Sequence, residues 1–181
     1  WSASTPMPKI ALIVGVTGQA GAYLARQLVQ RGYVVHGTTR QVQPEAIWRL
    51  ALLGVEDAVT LHVMDIAEFS HILRVLSKVR PNEIYNLSGQ SSVGLSFELP
   101  LYTADVNATG VGRLLEAIRT VTPESRFLHA SSSEMFGRGA PPFDEETPLK
   151  PVSPYGAAKA FAHLATVTYR EAFGLHASNA V

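Results

Sequence analysis

An open α/β fold, with a parallel sheet covered by helices on both faces, is what this sequence predicts, on three observations. Strand-length apolar runs alternate with segments of helical periodicity from Ile10 to the last residues. The strand runs are mostly continuous in their apolar character, which is how strands buried on both faces read. The first of them, Ile10-Ala11-Leu12-Ile13-Val14, opens directly into Gly15-Val16-Thr17-Gly18-Gln19-Ala20-Gly21, a glycine-spaced loop leading into a helix.

The elements follow in order. After the first strand, Ala22 to Arg31 reads helical and Tyr33 to Gly37 reads as a second strand, which completes a βαβ unit. Val59 to Met64 is a third strand ending at Asp65, and Ser70 to Val79 carries Ile72, Leu73, Val75, Leu76 and Val79 at helical spacing before Pro81 stops it. Glu83 to Leu87 is a fourth strand, followed by a polar loop from Ser88 to Ser92 and a long helix from about Leu101 to Arg119. Arg126 to Ala130 is a fifth strand. Ser131 to Pro154, with five prolines, is a loop-rich excursion of the kind that carries function at strand ends. A helix from Tyr155 to Phe173 comes next, with Gly174 in the position that ends helices in a left-handed turn, and Leu175 to Val181 begins a sixth strand. The fold class is thus a doubly wound parallel sheet, Rossmann-like.

Composition limits the functions open to this fold. At 181 residues, 46% hydrophobic and 17% charged, the chain suits one domain with a sizeable core. Lysine plus arginine balance aspartate plus glutamate at 15 each, which argues against nucleic acid and against a charged membrane surface. The expected partners are a small molecule and further copies of the chain as a homo-oligomer. Without cysteine there is no disulfide or thiolate metal site, and the histidines lack metal-ligand spacing, so no metal is expected. No apolar run reaches membrane-spanning length, and no signal core is seen, so a cytoplasmic location is expected. Trp1 to Pro6 reads as a remnant of expression, with the domain proper from Met7 to Val181.

The chemistry begins at the glycine loop. Glycines at this spacing let backbone N–H groups approach a pyrophosphate at a helix N-terminus, so Gly15, Thr17, Gly18, Gln19, Ala20 and Gly21 predict dinucleotide binding. At the end of the second strand the chain offers Thr38-Thr39-Arg40 and no carboxylate until Glu45, which favours NADP over NAD. Asp65 is a candidate for the adenine amino group and equally for a helix N-cap. Tyr155 and Lys159 stand four apart at the start of a helix, on one face, where the ammonium favours the phenolate and suits Tyr155 to acid/base work. Ser131-Ser132-Ser133-Glu134 follows the fifth strand and emerges at the same carboxyl edge of the sheet.

Taken together, Gly15-Val16-Thr17-Gly18-Gln19, Tyr85-Asn86-Leu87 with Gln90-Ser91, Tyr102-Thr103-Ala104-Asp105-Val106, Ala130 to Gly137 and Ser153 to Lys159 resemble the extended short-chain dehydrogenase/reductases, and within them the GDP-mannose 4,6-dehydratase family. The resemblance implies Ser132, Glu134, Tyr155 and Lys159 as catalytic residues. It implies cofactor contacts from the glycine loop, Arg40, Asp65, Ile66, Leu87, Ser88, Gly89, Gln90, Ser91, Tyr102, Tyr155 and Lys159, with NADP as cofactor and GDP-mannose as substrate. It further implies that Tyr155 takes the O4 proton, Glu134 takes the C5 proton and helps expel the C6 hydroxyl, and Ser132 steadies the C4 oxygen. Gln41 stands where the family commonly has a second arginine. The chain is expected to stop before a C-terminal substrate domain. Two other readings stand beside this one: an epimerase or 4-keto reductase of the same fold, and a cofactor-binding module without catalysis. Among the remaining polar and aromatic residues, Asn107 is read as a helix polar contact more readily than as a buttress of the site, and Trp48 as packed beneath the helix that follows the second strand.

Overall fold

In a computed structural model that describes residues 7–139 and 141–181, six strands form one parallel sheet. They are β1 (Ile10–Val14), β2 (Val34–Thr39), β3 (Val59–Val63), β4 (Glu83–Asn86), β5 (Arg126–Ala130) and β6 (Ala177–Ala180), in the order β3-β2-β1-β4-β5-β6. The segment read as an expression remnant, Trp1–Pro6, lies outside the described residues. Every neighbouring pair is parallel, with Val14 opposite both Thr38 and Asn86, and His129 opposite both Asn86 and Asn179. The order reverses between β1 and β4, and at such a switch point the loops diverge to opposite faces and leave a crevice outside the strand ends.

Helices cover both faces because the strands are apolar on both. On one face, Ala11, Ile13 and Val35 pack against Ala22, Ala25 and Leu28 of α1 (Gln19–Gln30) and Leu50 of α2 (Pro44–Leu52). On the other, Leu12, Ile84 and Phe127 meet Ile72 and Leu76 of α3 (Phe69–Val79) and further helices beyond it. The first helix starts at Gln19, three residues earlier than periodicity suggests, because the polar first turn belongs to the glycine loop and carries no apolar signal.

One short helix escapes a periodicity reading, α4 (Val93–Glu98), capped by Ser92; the next, α5 (Pro100–Ala104), opens the expected long helix. A π turn over Asp105–Thr109 joins α5 to α6 (Gly110–Val121), so the expected long helix is one rod carrying a local widening. Such turns are rare and cluster at functional sites. The last helix, α7 (Pro154–Phe173), begins with Ser153 accepting from the Gly156 N–H at 3.0 Å and ends at Gly174 with φ 68°. The proline-rich excursion before it is pinned by its own cluster, in which Met135, Phe136 and Ala160 are buried and the Phe136 and Phe143 rings stack at 5.0 Å.

Trp48 departs from expectation. It sits on α2 itself, 48% exposed, with the Arg49 guanidinium 4.4 Å from its ring centroid. The inward positions of this nine-residue helix are taken by Leu50 and Ile47, which leaves the indole on the outer face.

Candidate active site

The carboxyl ends of β1, β2, β3 and β4 open into a cavity of about 970 Å³, at the upper end of the range that ligand sites occupy. Its floor is the glycine loop. Gly15 has φ 83°, and a Cβ there would lie 2.9 Å from the Ser88 backbone, so β1 and β4 can close on each other only through glycine. Gly18 precedes α1 without any side-chain cap, so the first N–H groups of the helix, on Gln19, Ala20 and Gly21, have no partner within it. A cradle shaped by a missing Cβ and lined by such donors fits a pyrophosphate. Gly15, Thr17 and Gly18 line the cavity, while the Ala20 side chain belongs to a shallow hollow on the outer face of α1.

At the β2 end the cavity is walled by Thr38, Thr39, Arg40 and Gln41. The Arg40 guanidinium donates to the Tyr102 hydroxyl at 3.0 Å, which joins two expected cofactor residues across the crevice. Gln41 spends its backbone on the Thr39 hydroxyl, donating to it at 3.3 Å and accepting from it at 2.8 Å. Periodicity gives no sign that α2 folds back over this end, and it brings in Glu45, Ala46 and Arg49 as further lining residues. Their signal in the sequence is the spacing of Glu45 and Arg49, one turn apart on a helix opened by Pro44. On the opposite wall Asp65 and Ile66 line the cavity. Asp65 is not the cap of α3: its carboxylate accepts from the Ala67 N–H at 3.0 Å in a local turn, and the cap position falls on Glu68.

The loop after β4 supplies Leu87, Ser88 and Gly89 to the cavity. It is held from the π turn, where the buried Asn107 accepts from the Gln90 N–H at 2.8 Å and donates to the Gln90 carbonyl at 2.7 Å. Asn107 therefore buttresses the site by bridging two elements, where the sequence reading favours a contact within the helix. Gln90 itself turns inward, bonding Ser92 and the Thr103 hydroxyl, and is 8% exposed. Ser91, exposed, does not line the cavity.

The four expected catalytic residues do not line this cavity; they gather at β5, the strand next to β4, and at the start of α7. Lys159 is 7% exposed and Tyr155 9%. The Lys159 ammonium donates to the Ala130 carbonyl at the end of β5 at 2.7 Å and lies 6.0 Å from the Tyr155 ring centroid. Burial pushes the Lys159 pKa down to about 8. Ser132 caps the short 3-10 turn Ser133–Met135 by accepting from the Glu134 N–H at 3.2 Å. The Glu134 carbonyl is seated against the helix start, for a Cβ on Gly156 would lie 2.6 Å from it. That close approach sets Glu134 beside Tyr155. Among the described residues the exposed Glu134 carboxylate has no hydrogen-bond partner. From β2 to β5 is three strand spacings, about 14 Å, so a ligand extended along the strand ends reaches from Arg40 to this cluster.

Beneath the cluster runs a polar row that the sequence does not announce: Asn86, His129 and Asn179, opposite one another on β4, β5 and β6. The Asn86 amide oxygen accepts from the Ser88 N–H and hydroxyl, so its NH₂ faces His129 Nδ1 at 3.2 Å, and the histidine carries its proton on Nε2. Burial, with Lys159 and His163 adding positive potential, drives the His129 pKa down to about 3. His129 Nε2 and Asn179 Oδ1 are buried without a partner among the described residues, a complementary donor and acceptor on adjacent strands. No group of three or more histidine, aspartate or glutamate side chains suited to a metal is found among the described residues.

Comparison with known proteins follows the same lines. The GDP-mannose 4,6 dehydratase family model matches residues 12–181. The chain is 45% identical to GDP-mannose 4,6 dehydratase 1 of Arabidopsis thaliana over 96% of its own length and 51% of that protein. It is 45% identical to the GDP-mannose 4,6-dehydratase of Sinorhizobium fredii, again over 96% of its length and 52% of the relative. The chain thus spans about half the length of the curated relatives it matches. Its fold is shared with the UDP-Glc/GlcNAc 4-epimerase of Campylobacter jejuni, with a TM-score of 0.84 at 20% identity over 94% of this chain and 51% of that one.

Proposed function

Because the chain belongs to the GDP-mannose 4,6 dehydratase family, we propose that it serves an NADP-dependent dehydration of GDP-mannose to GDP-4-keto-6-deoxymannose. The observation that carries this reading is Glu134. Its backbone is locked against Gly156 beside Tyr155, while its carboxylate is left unspent. An epimerase or 4-keto reductase needs the tyrosine, the lysine and a serine, but elimination across C5 and C6 needs an additional base, and Glu134 supplies it.

The residues divide the work. Tyr155 takes the proton from O4 as that carbon is oxidised, and Lys159, fixed on the Ala130 carbonyl, holds positive charge beside the phenol. The resulting ketone acidifies the C5 hydrogen. Glu134 removes that proton and then protonates the departing C6 hydroxyl, so that one water leaves and the carboxylate is restored. Ser132 donates to the C4 oxygen as its charge changes. Bound NADP would supply the redox chemistry as acceptor and later donor of the hydride, and the proton that Tyr155 took from O4 returns to C5 as C6 is reduced, so that the tyrosine is restored. The glycine cradle and the uncapped helix start fit its pyrophosphate, Asp65 its adenine, and Arg40 with Tyr102 its phosphorylated ribose. A homo-oligomer is part of the same reading and is supported by exposed Phe97, Leu101, Phe161 and Leu164 on α4, α5 and α7. A cytoplasmic location is supported by the absence of cysteine; no helix among the described residues is long and apolar enough to cross a membrane.

Incubation with GDP-mannose and NADP⁺, followed by mass spectrometry, tests the proposal. A product lighter by one water is expected, and its loss in Glu134→Gln. A product of unchanged mass supports the epimerase instead. Firm cofactor binding with no turnover supports the module without catalysis.

A further inference from the structure

We propose that Arg49 is the second half of a two-guanidinium clamp that, with Arg40, selects dinucleotides carrying a 2′-phosphate on the adenosine ribose. This rests on the reading of the cavity as a dinucleotide site and goes beyond it by naming the residue that decides between the two nicotinamide cofactors. Arg40 rises from the end of β2 and Arg49 descends from α2, and both line the same end of the cavity. Each is held in place by a neutral partner. Arg40 donates to the Tyr102 hydroxyl at 3.0 Å, and Arg49 donates from one terminal nitrogen to the Thr17 carbonyl in the glycine loop at 3.3 Å while stacking on Trp48. Neither forms an ion pair among the described residues. Two full charges and most of ten N–H donors therefore remain unspent at a site already ordered to receive an oxyanion.

Gln41, next to Arg40, offers no charge, and Glu45 on the same wall is a carboxylate. With Arg40 alone, one cation and one anion would face the ribose, and Glu45 could accept from a free 2′-hydroxyl while opposing a phosphate. Arg49 tips that balance. Its position one turn beyond Glu45 puts the guanidinium over the glycine loop, so phosphate on the ribose meets Arg40 from one side and Arg49 from the other. A bidentate guanidinium–phosphate contact adds geometric selection to charge.

Equilibrium binding of NADP⁺ and NAD⁺ to the 181-residue chain and its variants separates selection from bracing. Loss of a charge-assisted bond costs about 1.5–3 kcal/mol, so Arg49→Met is expected to weaken NADP⁺ about 10- to 150-fold. NAD⁺ is expected to change less than about threefold, the residue of the lost Thr17 bond alone. Arg49→Lys keeps the charge without the fork and is expected to fall between, which also guards against a folding defect in the methionine variant. Equal weakening of both cofactors would make Arg49 a brace of the loop and overturn the inference, as would unchanged NADP⁺ affinity. Binding of neither cofactor by the parent chain would overturn the dinucleotide reading itself.

Discussion

Replacing Lys159 by Met removes a buried ammonium while keeping an unbranched chain of similar length. In the folded protein the lysine is 7% exposed, and burial lowers its pKa from 10.5 to about 8. Between about pH 8 and 10.5 the unfolded chain therefore binds a proton that the folded protein has released, and stability rises with pH across that window. Below about pH 8 both states are protonated and the burial penalty is fully present. The interval corresponds to about 3 kcal/mol. Lys159→Met escapes this penalty but gives up a charge-assisted bond to the Ala130 carbonyl, worth about 1.5–3 kcal/mol. The variant is thus expected to match its parent or exceed it by up to about 1.5 kcal/mol at pH 7, and to fall by about 3 kcal/mol relative to it by pH 10.5. Denaturant titrations of both proteins at the two pH values measure it directly, since every other alkaline titration cancels in the comparison. Parallel stability–pH curves would refute the argument that burial sets the lysine's proton affinity. A lysine whose burial costs stability while it holds charge beside Tyr155 is the trade expected of a functional residue.

Two further outcomes follow from the site's geometry. His129, with its pKa lowered to about 3 from 6.5, is neutral when folded but binds a proton when unfolded as the pH falls below 6.5, so acid costs stability there. His129→Gln is expected to flatten the acid limb between about pH 6.5 and 4 by about 3 kcal/mol, read by denaturant titration, and nitrogen-coupled NMR of the parent should show the Nε2–H tautomer throughout. Gly156→Ala pushes a methyl group to within 2.6 Å of the Glu134 carbonyl. Overpacking of this kind costs about 1–3 kcal/mol, and the displaced carboxylate is expected to lower turnover about a hundredfold with NADP⁺ affinity unchanged.

Much of this architecture is written in local pattern. The β1 run and its glycine loop, Tyr155 one turn before Lys159, and the αL ending at Gly174 each depend on residues close together in the chain, where periodicity and backbone sterics speak directly. What stays hidden depends on neighbours distant in sequence. Asn107 reads more readily as a helix contact until the π turn aims it at Gln90, 17 residues earlier, and the row Asn86–His129–Asn179 exists only once β4, β5 and β6 lie side by side in register. Arg49 goes unnoticed in the sequence because nothing local says that α2 folds over Thr17. Trp48 reads as core because large aromatics usually are, and here the helix is short enough that Leu50 and Ile47 use up its buried face.

The central claim is that the cofactor's reactive end reaches Tyr155. Nuclear Overhauser measurements on the NADP⁺ complex, with labelled tyrosine, test it most directly. Cross-peaks between the nicotinamide ring protons and the Tyr155 ring are expected, along with contacts from the adenine to Ile66. A saturated complex whose nicotinamide contacts only the outer face of α1, at Tyr23, would contradict the claim.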